Sequence, residues 1–284
     1  MSDGAAGKPG SLLIIGGSED REDARHILER FVTLCGGPAG RIAVLTAASK
    51  IGELVWQDYQ RAFAQLGAHH CVPIHIESRA AANHPAMVAA IDSADGIFMT
   101  GGDQKRLLSL VGGTAVAQAL HAALARGACV AGTSAGASAM SDAMLTYGRA
   151  RLKPVKGTVG MGKGLGFLHG VIIDQHFSQR RRLSRLLTVV AQNRSLIGIG
   201  IDEDTALLIG AGEGIEIIGA GTVTVVDGRS MVTDIDSIDP RAVPEMLDVR
   251  LHILPAGRSH RIAGGAQPGA LSDFLHLATR IVQP

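Results

Sequence analysis

The sequence predicts an α/β fold, a parallel sheet covered by helices on both faces, and three observations predict it. In the first half, short runs rich in Val, Ile and Leu alternate with stretches of helical spacing. The runs are apolar along their length, as in strands buried on both faces. Polar, glycine-rich loops follow three of them, where open α/β sheets place their sites.

Taken in order, 11–15 reads as a buried strand, and 22–34 as a helix with Ala24, Ile27, Leu28, Phe31 and Val32 on one face. The pair repeats: strand 41–46, helix 53–66, strand 71–76, a short helix at 87–91 and strand 96–100. Residues 107–126 are helical with a break at Gly112-Gly113, and 128–132 is a strand. The glycine-rich, basic stretch 145–170 reads as loops with short strands. Strand 171–173 leads to helix 179–192 and strand 197–201. Segments 207–209, 216–218 and 222–227, separated by Gly-rich turns, suggest a meander. A strand at 251–254 and a closing helix at 271–282 complete the chain.

Length and composition fit one domain spanning 1–284, with residues 1–10 as a flexible start. The 284 residues are 46% hydrophobic and 19% charged, enough to bury a sizeable core. No apolar run nears the roughly 18 residues that span a bilayer. The start MSDGAAGKPG lacks a signal peptide's apolar stretch, so the expectation is a cytoplasmic protein away from membranes. Cys35, Cys71 and Cys129 lie far apart in apolar surroundings and read as small buried hydrophobes. Lys plus Arg is 27 against Asp plus Glu 26, so no global field favours nucleic acid.

Chemistry concentrates at Gly132-Thr133-Ser134-Ala135-Gly136, which fits G-x-S-x-G. This strand-turn-helix elbow exposes a serine hydroxyl at the top of a sheet, and its strained backbone leaves room only for small flanking residues. Ser134 is the candidate nucleophile. An oxyanion hole needs the N–H after the nucleophile, here Ala135, and a second from a neighbouring strand-end loop, for which Gly102 is the candidate. In the same loop Gln104 can both donate and accept, and Asp103 reads equally well as a helix cap. The loop Gly16 to Asp20 lacks the G-x-G-x-x-G spacing, and no phosphate-binding loop motif occurs.

Downstream, strand 171–173 delivers Asp174, Gln175 and His176, and a histidine at a strand end beside polar residues suits a general base. Arg180, Arg182 and Arg185 could line a pocket or form a solvated helix face, whereas Arg181 points away from the helix's apolar side. Asp202, Glu203 and Asp204 could attract a divalent metal, but no supporting ligand spacing appears, so neither metal nor cofactor is expected. A carboxylate from this cluster orienting His176 fits better.

The segments LLIIGGSED, GIFMTGGDQKRL, AGTSAGASAM, VIIDQHFSQRRRLSRLL and GIGIDEDTA, in that order, resemble the cyanophycinases, serine hydrolases of the dipeptidase E type. The resemblance extends over nearly the whole chain. It implies a flavodoxin-like sheet related to class I glutamine amidotransferases, with serine replacing their cysteine at the elbow. It also implies hydrolysis of cyanophycin, a polyaspartate bearing arginine on each side-chain carboxyl, to β-aspartyl-arginine, and a homodimer. Glu203 then completes the triad, and Gln104, Asp174, Gln175, Arg180, Arg182 and Arg185 shape the substrate pocket. Dipeptidase E relatives place the acid between serine and histidine, where this chain has only Asp142 and Asp174. Two other activities stay in view, an aspartyl dipeptidase of the same fold and a non-catalytic binder of acidic polymers. An α/β-hydrolase would place its histidine last, after the acid.

Overall fold

The computed structural model describes residues 9–210, 214–261 and 275–276. The first half alternates as expected: β1 (Ser11–Ile15), α1 (His26–Leu34), β2 (Ile42–Leu45), α2 (Gly52–Gln65), β3 (Cys71–Ile74), α3 (Pro85–Asp92), β4 (Gly96–Met99), α4 (Gln104–Val111), α5 (Ala115–Ala125) and β5 (Cys129–Thr133). A short α6 (Ala135–Ser138) follows at once. Then come β6 (Ala143–Gly148), β7 (Val159–Lys163), β8 (Val171–Gln175), α7 (Leu183–Gln192), β9 (Ile197–Ile201), β10 (Thr205–Gly210), β11 (Gly214–Gly219), β12 (Thr222–Asp227), β13 (Val232–Thr233), β14 (Met246–Leu247), β15 (Arg250–Pro255) and β16 (Ser259–Arg261).

The main sheet has the order β16-β11-β10-β1-β5-β4-β2-β3. From β1 to β3 every neighbouring pair is parallel, and β10, β11 and β16 extend it antiparallel. Alternation of side chains divides its interior into two cores. Leu12, Ile14, Leu45, Met99 and Val130 face α3 and α5, while Leu13, Ile15, Val44, Phe98 and Ala131 face α1 and α2. The register pairs Ile15 with Thr133, so the ends of β1 and β5 lie side by side at the elbow.

In place of one continuous sheet, β8 and β9 form a second, smaller sheet of order β15-β12-β9-β8, with α7 packed on it through Leu186, Val189 and Val190. The expected three-strand meander is split accordingly. β10 and β11 are a hairpin in the main sheet, but β12 crosses to pair with β9. The Asp202 carboxylate accepts from the Thr222 N–H at 3.0 Å and hydroxyl at 2.8 Å, which draws the start of β12 to the end of β9.

Two helices begin later than their spacing suggests. Asp20 accepts the N–H groups of Glu22, Asp23 and Arg25, holding 20–25 in a turn with Arg25 at a φ of 49°. These bonds to its ionised form hold the Asp20 pKa well below the usual carboxylate range. Arg181, at a φ of 51°, likewise keeps 178–182 out of α7. Of the start expected to be flexible through residue 10, only Pro9 and Gly10 are among the described residues. Gly10 is buried and donates to the Leu124 carbonyl at 2.7 Å, while residues 1–8 lie outside the described residues. The closing helix expected at 271–282 also lies outside them, except for the helical Leu275 and His276.

Candidate active site

Ser134 stands between β5 and α6 at φ 51° and ψ −108°, the strained backbone of an elbow. Its N–H donates to the Ile15 carbonyl of the neighbouring strand at 3.0 Å. Its Oγ lies 2.9 Å from His176 Nε2. His176 follows β8 and is also in the left-handed region, at φ 47°, with its N–H bound to the Gly16 carbonyl at 2.8 Å. The ring presses against Gly17, where a Cβ would sit 2.4 Å from Cε1. On its other edge His176 Nδ1 is 2.5 Å from Glu203 Oε1. Glu203 is steadied through its own N–H, which donates to Gln179 Oε1 at 3.0 Å.

Of the candidate acids Glu203 and Asp142, it is Glu203 that contacts His176. Asp142 Oδ2 pairs with His169 Nδ1 at 3.0 Å and its Oδ1 accepts from the Ala143 N–H, so it makes no contact with His176. Burial pushes the His176 pKa below its ordinary value, and the charges of Arg180 and Arg182 push the same way. The bond to Glu203 opposes them. A ring held neutral, with its orientation set at Nδ1, can take a proton from Ser134 at Nε2.

Gly102 lies in the loop between β4 and α4 at φ 145°, a conformation that favours glycine. A Cβ there would also meet the Ala48 carbonyl oxygen at 2.2 Å. Neither the Gly102 nor the Ala135 N–H donates to a protein acceptor among the described residues, as an oxyanion hole requires. Asp103 caps α4 by accepting from the Lys105 N–H at 2.8 Å, and Gln104 Nε2 donates to the Leu145 carbonyl at 3.0 Å, tying α4 to β6.

Three of the residues expected to shape the substrate pocket are paired with one another. Asp174 is buried and lies between two guanidinium groups, accepting from Arg182 Nη1 at 3.2 Å and from Arg185 Nε at 2.6 Å and Nη2. Arg182 also donates to the carbonyl and side-chain oxygens of Gln175, and Arg185 Nη1 donates to the Gly148 carbonyl at 2.6 Å. Burial pushes the Arg182 pKa down to about 10 against the pull of Asp174. These arginines are therefore neither free forks nor a solvated helix face. They neutralise a buried carboxylate and join β8, α7 and the end of β6. Arg180, in contrast, is exposed and has no acidic partner among the described residues.

Sequence reasoning missed Glu19, a buried residue whose Oε2 accepts from the Thr133 hydroxyl at 2.5 Å and whose Oε1 accepts from the Tyr59 hydroxyl. Its signal was its loop, one of the three at strand ends, directly after the strand beside β5. The contacts that Gln179 and Asp202 make carried no such signal, because their partners Glu203 and Thr222 lie 24 and 20 residues away.

Comparison with known proteins agrees with this architecture. The model of peptidase family S51 matches residues 12–218. The chain is 36% identical over 249 residues to a cyanophycinase of Geminocystis herdmanii, covering 87% of this chain and 92% of that protein. It is 33% identical over 276 residues to a cyanophycinase of a Nostoc species, covering 96% and 88%. A crystal structure of a peptidase from an acI-B1 Actinobacterium superposes with a TM-score of 0.69 over 90% of this chain and 98% of that one, at 22% identity, a likeness of fold. With the family match covering most of the chain, the elbow included, the chain belongs to peptidase family S51 and is a serine-type peptidase.

Proposed function

We propose that the protein is a cyanophycinase, an exopeptidase that cleaves the aspartyl backbone of cyanophycin and releases β-aspartyl-arginine. The observation that carries this reading is the unbroken chain of contacts from Ser134 through His176 to Glu203, at 2.9 and 2.5 Å, in a protein similar along most of its length to curated cyanophycinases. In the first half-reaction Ser134 Oγ attacks the scissile carbonyl while His176 Nε2 takes its proton. Glu203 holds the Nδ1 proton and stabilises the imidazolium. The N–H groups of Gly102 and Ala135 receive the oxyanion. His176 then protonates the leaving amine, and a water deprotonated by the same nitrogen releases the acyl group.

Each arginyl branch of the polymer ends in a free α-carboxylate, and the unpaired Arg180 beside His176 is suited to bind one in a bidentate fashion. Asp174 is paired with Arg182 and Arg185. That pairing also favours a second reading, an aspartyl dipeptidase of the same fold, because it leaves both arginines less free to recognise an arginylated polymer. Incubating the protein with purified cyanophycin, plain polyaspartate and an aspartyl dipeptide, followed by mass analysis, separates them. β-Aspartyl-arginine from cyanophycin alone, abolished in Ser134→Ala, is expected. Turnover of only the dipeptide would transfer the assignment to the second reading.

A further inference from the structure

The loop that follows β1 touches every segment of the proposed triad. Ile15 O receives the Ser134 N–H at 3.0 Å, Gly16 O the His176 N–H at 2.8 Å, and Gly17 O the N–H of Asp204, next to Glu203, at 2.9 Å. The Asp20 N–H returns to Asp204 Oδ1 at 2.9 Å. Ser134, His176 and Asp204 have φ values of 51°, 47° and 46°, so one six-residue stretch holds all three strained backbones. Such conformations persist only where the surroundings over-determine them.

Within this loop Glu19 hydrogen-bonds through its side chain to the strand that carries the nucleophile. It is 4% exposed, and no described cation pairs with it. One oxygen accepts from Thr133, the residue before Ser134, and the other from Tyr59 on α2. Tyr59 is itself anchored in an aromatic cluster, with its ring centroid 4.7 Å from that of Phe98. Burial, with Glu19 beside it, pushes the Tyr59 pKa well up, so its hydroxyl stays a donor. A buried acid with one hydroxyl donor on each oxygen costs desolvation that packing alone would not demand.

We infer that Glu19 is a positioning residue for catalysis: by holding the Thr133 hydroxyl against Tyr59 and the core, it fixes the aim of Ser134 Oγ at the scissile carbonyl. It does not touch substrate. The inference rests on Ser134 being the nucleophile, and the experiment distinguishes failure of that reading from failure of this one.

The test compares wild type with Ser134→Ala, Glu19→Gln, Thr133→Val, Tyr59→Phe and the double variant Glu19→Gln/Thr133→Val. It measures kcat and KM on cyanophycin, the second-order rate of Ser134 modification by a sulfonyl fluoride, and Tm. Displacing a reacting atom by even an ångström can cost ~10²-fold. Glu19→Gln and Thr133→Val are each expected to lower kcat and the modification rate by about 10- to 100-fold, with KM within about twofold. The double variant should be no worse than the poorer single one, since both break the same contact. Tyr59→Phe should fall less. Where Glu19→Gln fails to fold, Thr133→Val, an isosteric change within β5, carries the test. An inert Ser134→Ala alongside Glu19→Gln and Thr133→Val of wild-type kcat and labelling rate overturns the role of Glu19. An active Ser134→Ala overturns the nucleophile instead.

Discussion

Asp174 near the end of β8 and His176 just after it belong to two polar clusters that differ in burial and in charge pairing. Asp174, Arg182 and Arg185 form a closed set. The aspartate side chain is inaccessible, each arginine side chain is 10% exposed, and the arginines donate to Asp174, to backbone carbonyls and to the Gln175 side chain. Ser134, His176 and Glu203 form an open one. Each contacts the next once, the Glu203 side chain is 31% exposed, and among the described residues the Ser134 hydroxyl has no partner but His176. The first cluster, buried and mutually charge-paired, holds elements together. The second joins a more exposed carboxylate to two residues with strained backbones.

The largest expected effect breaks the closed set. Arg185→Ala strands Asp174 in a site where one arginine no longer suffices, and removing one member of a buried ion pair typically costs about 3–5 kcal/mol of stability. Urea unfolding should show a lower midpoint in Arg185→Ala, partly restored in Arg185→Ala/Asp174→Asn. An unchanged midpoint with a raised KM would make Arg185 a substrate contact and remove the distinction between the clusters.

Glu203→Gln probes the open set. With the imidazole no longer oriented and its cation no longer stabilised, kcat should fall by ~10²-fold or more while KM and stability change little. Asp142→Asn should leave kcat near wild type, because Asp142 pairs with His169. The reverse ranking in steady-state kinetics would place the acid between serine and histidine in chain order.

The smallest effect sharpens the comparison through pH. His176 must be neutral to accept a proton, so the acid limb of kcat/KM follows its pKa in the free enzyme. Burial chiefly lowers that pKa, and the positive charge of Arg180 adds to the lowering. Arg180→Gln removes this positive charge, favours the imidazolium and should move the acid limb to higher pH. Glu203→Gln, which removes the opposing contribution, should move it lower. pH profiles of both variants check the pair of signs, and shifts in the same direction would contradict the electrostatic picture.

Local chemistry made the alternating elements, the elbow at Ser134, the strand end at His176 and the acidic turn at 202–204 legible in the sequence. Apolar runs, glycine at strained positions and polar residues at strand ends each act over a few neighbours, and the sequence records neighbours directly. Tertiary structure alone decided that β8 and β9 leave the main sheet, because the Asp202 contacts that draw β12 to β9 join residues 20 apart. It alone brought Glu203 rather than Asp142 to His176, across 27 residues of chain. It also turned Arg182 and Arg185 inward onto Asp174 and set Glu19 against Thr133 over a separation of 114 residues. A carboxylate or guanidinium reads the same in sequence whether solvated, reactive or buried. Its role follows from which opposite group shares its desolvated space, and that pairing exists only once distant segments have packed together.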